Sequence, residues 1–351
     1  MSTKLYKVIG KYKPHFVKGG GLYCSKGFVV YKTDESFSSF TKITRYNAPL
    51  WISLLSYIPL AARILRLGFH ALNNFADGSI IGIIRKWIII HEPGASSFKK
   101  VFKIEKGSRP LNICQAADNK LFFGEYFAND ERDEVKIYTS NNGIDWEVCY
   151  TFPAGTIRHI HGIFYDIHRK GCWVLTGDSN EESGLWFTSD SFNHLQHVAG
   201  GSQNYRAVEV IIKKDGLILP TDSPVARNYI QFFDPSTKTL KQLKEIEGSV
   251  FHAKAYSDIY MVSTIVEPSR INNNSKIYLY ASNDGVNWKK IYSFCRDIFP
   301  PGLMKYTTYP ELIMTDNKFN NYIITFLKAT KRHNNRMLAW DVNEIKDILS
   351  E

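Results

Sequence analysis

The sequence lacks a membrane span. Its longest apolar stretch, residues 49–68 (PLWISLLSYIPLAARILRLG), is interrupted by Pro59 and closed by Arg63 and Arg66, so it falls short of the roughly 20 uninterrupted apolar residues that a spanning helix needs. No CxxC pair occurs among Cys24, Cys114, Cys149, Cys172 and Cys295. An odd count of cysteines, most of them set in apolar runs such as Val148-Cys149-Tyr150, suits buried, reduced thiols. The first residues, MSTKLYKVIGKYKPHF, contain no apolar signal core, so a cytoplasmic location is expected. No P-loop, GxGxxG or GxSxG motif is present, and Gly19-Gly20-Gly21 is not followed by Lys-Ser/Thr. Phosphate-cradling loops and nucleophile elbows are therefore excluded. Lys and Arg total 44 against 34 Asp and Glu, for a net charge of +10, yet no block of five or six like charges appears. That balance suits an acidic partner, a glycan or an anionic lipid, and does not point to nucleic acid.

Aromatics are abundant, with 22 Phe, 20 Tyr and 7 Trp. With frequent Val, Ile and Thr runs they favour strands. Two segments repeat: Lys136-Ile-Tyr-Thr-Ser-Asn-Asn-Gly-Ile-Asp-Trp146 and Lys276-Ile-Tyr-Leu-Tyr-Ala-Ser-Asn-Asp-Gly-Val-Asn-Trp288. Each is an alternating strand, a Ser-x-(Asn/Asp)-Gly turn, and a Trp opening the next strand. Such a turn is built from side chains that bond nearby backbone and a glycine that accepts positive φ. Looser copies stand at Leu185–Leu195 and Val29–Phe40.

These turns resemble the Asp-box, or BNR repeat, of the sialidase-like β-propellers, in a form one residue shorter and without the usual Thr. The resemblance implies an all-β propeller of four-stranded blades. First-strand candidates aligned on Arg109, His159, Tyr205, His252 and Tyr309 are spaced 50, 46, 47 and 57 residues apart, the length of such a blade. Six units follow from Phe69 onward and residues 15–45 supply a seventh. Seven blades are expected, with six as the alternative, in a single domain over 1–351 carrying an apolar insertion at about 48–68. Lys4–Ile9 is expected to return as the outer strand of the last blade, which otherwise ends near Asp341.

In a propeller the starts of first strands and the ends of second strands meet at one mouth. First strands bring His70, Arg109, Arg158, His159, His161, Tyr205, Arg206, His252, Tyr306 and Tyr309, with Glu311 just inside; second strands bring Glu125, Asp178 and Asp222. Buried charge and imidazole at such positions need partners or a ligand. Arg109, Arg206, Tyr309 and His70 are the candidate substrate-binding residues, and His161, His252, Tyr205, Glu125, Asp178 and Asp222 the candidate catalytic ones. Two-residue spacing puts His159 and His161 on one side of their strand, where with Gln203 they could hold a divalent metal ion. Arg158, next to His159, is expected to point the other way.

Arginine forks pair bidentately with carboxylates, so an acidic oligosaccharide or polysaccharide is the expected ligand. The sialidase resemblance implies an arginine triad (Arg109, Arg158, Arg206), a Tyr nucleophile (Tyr205 or Tyr309) paired to Glu125 or Glu311, and an Asp acid (Asp178 or Asp222). The Phe-Arg-Ile-Pro signature of that family is absent; the nearest text is Ser108-Arg109-Pro110. Lyase chemistry on a uronate, by proton abstraction with Tyr or His, and hydrolysis between two carboxylates both remain open. So do a non-catalytic glycan-binding or glycan-assembly propeller and a protein-interaction propeller. A peripheral membrane contact through residues 49–68 is the alternative to packing of that segment on the propeller.

Overall fold

The computed structural model describes residues 5–75, 77–267, 269, 271, 274–299, 309–313, 319 and 321–351. Their strands form seven four-stranded antiparallel sheets, and the chain is a seven-bladed β-propeller. Blade 1 comprises Lys13–Lys18, Gly21–Lys26, Val29–Thr33 and Thr41–Arg45; blade 2 comprises Ala71–Asn74, Ile80–Ile84, Trp87–His91 and Lys99–Lys103. Blade 3 comprises Cys114–Gln115, Leu121–Gly124, Val135–Ser140 and Glu147–Phe152; blade 4, His159–Asp166, Gly171–Gly177, Gly184–Thr188 and Gln196–Gly200. Blade 5 comprises Ile211–Ile212, Leu217–Pro220, Asn228–Asp234 and Thr239–Ile246; blade 6, Val250–Tyr256, Ile259–Thr264, Lys276–Ser282 and Lys289–Cys295. Blade 7 is made of Tyr309–Ile313, Tyr322–Lys328 and Arg336–Asp341, with the N-terminal strand Tyr6–Gly10 as its fourth. That strand pairs antiparallel with Arg336–Asp341, so both ends of the chain share one sheet, as the sequence led us to expect.

Burial explains the pattern within each blade. Second strands are mostly buried on both faces and several read as continuous apolar runs, as in Ile80–Ile84 and Leu121–Gly124. Fourth strands are largely exposed, as in Thr239–Ile246. Two expected first strands lie elsewhere. Pro110 has no N–H to give a ladder, and the first strand of blade 3 is only Cys114–Gln115. In blade 5 a 3-10 turn at Gln203–Tyr205, closed by Tyr205 N–H to the Ser202 carbonyl at 3.0 Å, delays the strand to Ile211.

The chain contacts define two compact units. Residues 1–69, 95–98 and 243–351 carry blades 1, 6 and 7; residues 70–94 and 99–242 carry blades 2–5, apart from the last four residues of blade 5. In the first unit, one apolar layer joins blades 6 and 7 through Met261, Leu279, Leu338 and Trp340, and another joins blades 7 and 1 through Leu22, Ile324 and Met337. A C-terminal helix, Val342–Ser350, follows blade 7 directly. Asp341 caps it by accepting from the N–H groups of Asn343 and Glu344, and Ile345 is its buried anchor. In the second unit, three layers join blades 2 to 3, 3 to 4 and 4 to 5.

The two repeated turns share one set of hydrogen bonds. In blade 6, Ser282 Oγ accepts from Gly285 N–H at 2.9 Å, and Asp284 Oδ1 accepts from the N–H groups of Val286 and Asn287 at 2.7 and 2.8 Å. Trp288 Nε1 donates to the Gly285 carbonyl at 3.3 Å. In blade 3, Ser140, Asn142, Gly143 and Trp146 repeat these contacts at 2.8–3.1 Å. Glycine meets no Cβ strain at 143 and 285, where φ is +73° and +75°. Burial opposes the ionisation of Asp284, but the backbone N–H groups of Asn287 and Val286 hold its carboxyl well below the usual range. Asp284→Ala is expected to cost about 1–3 kcal/mol in urea unfolding. Asp284→Asn is expected to cost less than 1 kcal/mol, because asparagine already fills the same role at 142; an equal loss in both variants would refute this account of the turn.

Residues 49–68 form two short helices, Leu50–Leu55 and Pro59–Ile64, that bury no residue of their own. Leu50, Trp51, Leu54, Ile58 and Ile64 are each more than half exposed. Arg63 turns inward to pair with Asp297. No helix among the described residues is long and apolar enough to cross a membrane.

Candidate active site

The site lies in blades 3–5 of the second unit and is organised by the first strand of blade 4. His159 opens that strand opposite Gly177, and a β-bulge between Ile160 and Gly162 leaves His161 outside the ladder. The bulge re-aims the side chain, and the two imidazole Nε2 atoms meet at 3.2 Å. His159 Nδ1 faces the Phe127 carbonyl at 3.0 Å and His161 Nδ1 faces the Ala207 carbonyl at 2.9 Å. Gly177 makes room: a Cβ there would lie 2.4 Å from His161 Cε1.

Asp178, at the end of the second strand, completes the group. Its Oδ1 lies 3.2 Å from His161 Nε2 and 3.5 Å from His159 Nε2. Arg206 Nη2 reaches Oδ1 at 3.0 Å and Arg158 Nη1 reaches Oδ2 at 3.3 Å. Arg158 Nη2 also donates to Asp130 at 2.5 Å, and Asp222 Oδ2 lies 3.9 Å from Arg206 Nε. Arg158 therefore does not turn away as strand alternation suggests. It precedes the strand, and its carbonyl is fixed by the Asn129 side-chain amide at 3.0 Å.

Burial works against ionising Asp178, but the hydrogen bonds and charge of the His159 and His161 imidazoles hold its carboxyl well below the usual carboxylate range. Burial likewise pushes the His161 pKa down, which favours its neutral ring. The histidines lie beneath the surface, whereas Asp178 and Arg158 keep 23% and 28% of their side chains exposed. A ligand thus meets the arginines and the aspartate first. Glu182 ties down the loop after Asp178 through the N–H groups of Asp178 and Ser179 at 3.3 and 3.1 Å, and itself pairs with Arg132.

Other candidate residues have different surroundings. Gln203 is spent as a support: its amide donates to the Asp178 carbonyl at 2.9 Å and accepts from Ser223 Oγ at 2.7 Å, so Asp178 and not Gln203 stands beside the histidines. The Tyr205 ring packs towards Phe233, with 6.2 Å between centroids, at the edge of an apolar layer. Glu125 is buried in blade 3, accepting from Lys136 N–H at 2.9 Å and the Tyr138 hydroxyl at 3.4 Å. Burial raises its pKa. His70 Nε2 lies 3.2 Å from the Pro110 carbonyl, and Arg109 is half-buried in the segment before blade 3.

In the first unit, Glu311 of blade 7 pairs with Lys13 and Lys328 at 3.4 and 3.1 Å. His252 of blade 6 is pushed down to about 3, by burial first and by the nearby lysines, against the pull of Glu311. Burial opposes the charge on Glu311, but Lys13 and Lys328 hold its carboxyl well below the usual range. A carboxyl depressed in the folded state adds stability that is present above its unfolded value, about 4.3, and is lost as pH falls through the folded value. Glu311→Gln is therefore expected to lower stability at pH 7 by about 1–3 kcal/mol and to flatten the acid limb of a stability–pH curve below about pH 4. An unchanged acid limb would contradict the pairing. Tyr309 opens the first strand of blade 7 opposite Lys328, and Tyr306 lies outside the described residues.

Asp130, Arg132, Glu182 and the Phe127 and Ala207 carbonyls had no signal in the strand pattern. The first three sit in charged loops where a site residue looks like any solvated one.

No protein-family model matches the chain, and no curated relative matches it. Solved structures share its fold. A GH74 xyloglucanase from Xanthomonas campestris is 13% identical with a TM-score of 0.61 over 92% of this chain, which spans 52% of the xyloglucanase. A chain of the mitotic checkpoint complex is 10% identical with a TM-score of 0.55, covering 94% of this chain and 90% of that one. Likeness at such identities extends to the propeller and not to its chemistry.

Proposed function

We propose that this protein is a carbohydrate-active propeller that takes an acidic saccharide at the Arg158–Asp178–Arg206 face and processes it by lyase or hydrolase chemistry. One observation carries the reading: two imidazoles, two guanidinium groups and three carboxylates converge on the innermost strand of blade 4 and its neighbours, where a structural blade needs only small apolar side chains. Arg158 and Arg206 offer the forked donors that match a sugar carboxylate. Asp178, ionised and partly exposed, is the candidate catalytic carboxylate, a fixed negative charge beside the bound sugar; His159 and His161 position it from below. The Ser-x-(Asn/Asp)-Gly turns of blades 3 and 6 support kinship with the sialidase-like Asp-box propellers, and the xyloglucanase likeness agrees with a glycan-directed scaffold. A panel of uronic and sialic oligosaccharides tests the reading, with reducing ends reporting hydrolysis and absorbance near 235 nm reporting an unsaturated lyase product. Binding without turnover would favour the non-catalytic glycan-binding alternative, and neither binding nor turnover would end the saccharide reading.

A second feature supports a peripheral membrane contact. The helices at 50–64 expose Leu50, Trp51, Leu54, Ile58 and Ile64, and Ile298 and Phe299 are exposed as well. Trp51 and Tyr57 are side chains suited to a lipid–water boundary, and the net charge of +10 favours anionic headgroups. Burying each large side chain is worth about 1.5–3 kcal/mol. Trp51→Ser with Leu54→Ser is therefore expected to reduce co-sedimentation with phosphatidylserine-containing vesicles at least tenfold, with the fold unchanged. Equal sedimentation of both proteins would overturn this contact.

A further inference from the structure

We propose that His159 Nε2, His161 Nε2 and the Asp178 carboxylate bind a divalent transition-metal ion of the zinc type, with a fourth position left open. The argument begins with hydrogens. Carbonyl oxygens only accept, so the contacts to Phe127 and Ala207 place a hydrogen on each Nδ1. Each Nε2 then faces the other imidazole and Asp178 Oδ1. These three atoms lie 3.2, 3.2 and 3.5 Å from one another and surround one point, as ligand atoms around a single cation do.

The size of the triangle identifies the cation. Zinc bonds to imidazole nitrogen and carboxylate oxygen at about 2.0–2.1 Å, so ligand atoms on its tetrahedron stand about 3.3–3.4 Å apart. The three edges bracket that value. Among the described residues these are the His, Cys, Asp and Glu side chains whose ligand atoms gather for a metal. The outer contacts also suit an ion. Each imidazole gives its other N–H to a backbone carbonyl, and Arg158 engages the second carboxylate oxygen, the arrangement that fixes ligand orientation around metals. Charge agrees as well: Arg158 and Arg206 face Asp130, Asp178 and Asp222, which leaves the group short of one positive charge. Two histidines and one carboxylate are hard enough for zinc and its neighbours and too nitrogen-rich for calcium or magnesium.

Three protein ligands and an open position define a site that can receive an oxygen from water or from a ligand. Between Arg158 and Arg206, that oxygen would come from an anion. The ion's role in chemistry thus rests on the saccharide reading, whereas its binding does not.

The test uses the full-length chain, stripped with a chelator and dialysed. Calorimetric titration with zinc chloride is expected to show one ion per chain, and cobalt chloride is expected to give the intense visible bands of a tetrahedral site. His161→Asn and His159→Gln are each expected to weaken zinc binding at least a hundredfold. Gly177→Ala is expected to weaken it about tenfold by displacing the His161 ring. His194→Ala, which alters the exposed His194–Asp190 pair, is expected to change nothing. No binding by the wild-type chain, octahedral cobalt spectra, or loss on His194→Ala in place of His161→Asn would overturn the inference and leave a shared proton as the cation of the triangle. The cobalt spectrum keeps the test decisive even if a histidine variant fails to fold. Saccharide turnover with no zinc binding would sink the metal alone, and zinc binding without any saccharide response would sink the saccharide reading alone.

Discussion

Asp178→Asn is expected to lower saccharide turnover by about two to three orders of magnitude, the usual contribution of a preorganised charged group. The substitution keeps the shape of the side chain and an oxygen for Arg206, so the loss should fall on kcat more than on KM. Its structural cost is smaller but present. Arg158 and Arg206 lose a formal countercharge, although Asp130 and Asp222 remain beside them. Circular dichroism and urea unfolding of the variant separate the two effects. A variant that unfolds no earlier than wild type and yet loses turnover supports a chemical role. Retention of full turnover would remove Asp178 from the mechanism and shift attention to Glu125, whose carboxyl is raised by burial but turned towards Lys136 and Tyr138.

Trp340→Ala is expected to have the largest effect on stability, a loss of about 3–5 kcal/mol. Trp340 is fully buried in the layer between blades 6 and 7, donates from Nε1 to Thr325 Oγ1 at 2.9 Å, and packs against Tyr6, Tyr292 and Phe294. Tyr6 is its partner in the ladder with the N-terminal strand. Removing the indole therefore empties a large volume and loosens the strand that completes blade 7. Hydrogen exchange should show that loosening, with protection lost first in residues 6–10. Trp340→Phe keeps most of the ring and is expected to cost roughly half as much. If Trp340→Ala leaves residues 6–10 as protected as before, blade completion does not depend on this layer.

Much of this architecture is readable in the sequence because blades are periodic. Continuous apolar second strands and the turns at Ser140–Trp146 and Ser282–Trp288 mark the repeat. The strand Tyr6–Gly10 is foreseeable because the last blade is one strand short without it. The helix Val342–Ser350 escapes such reasoning: nine residues after a strand give no repeat to compare, and Asp341 alone announces the cap. Within the site, His159, His161 and Asp178 are legible from strand starts and ends, whereas Arg206 reaches the cluster from a turn, its expected strand beginning only at Ile211. The position of Arg158 is not legible, because period-2 alternation stops where the ladder stops, one residue before His159. Tyr205 fails for a related reason. Its segment forms a tight turn instead of a strand, which leaves its ring against Phe233 and its neighbour Arg206 in the cluster.

The most direct test of the central reading, recognition of a sugar carboxylate by Arg158 and Arg206, is a calorimetric titration of one uronate oligosaccharide in two forms, free acid and methyl ester. The free acid is expected to bind, the ester to bind at least tenfold more weakly, and Arg206→Gln to abolish the difference between them. Equal affinity for both forms, or binding of neither across the oligosaccharide panel, would contradict it.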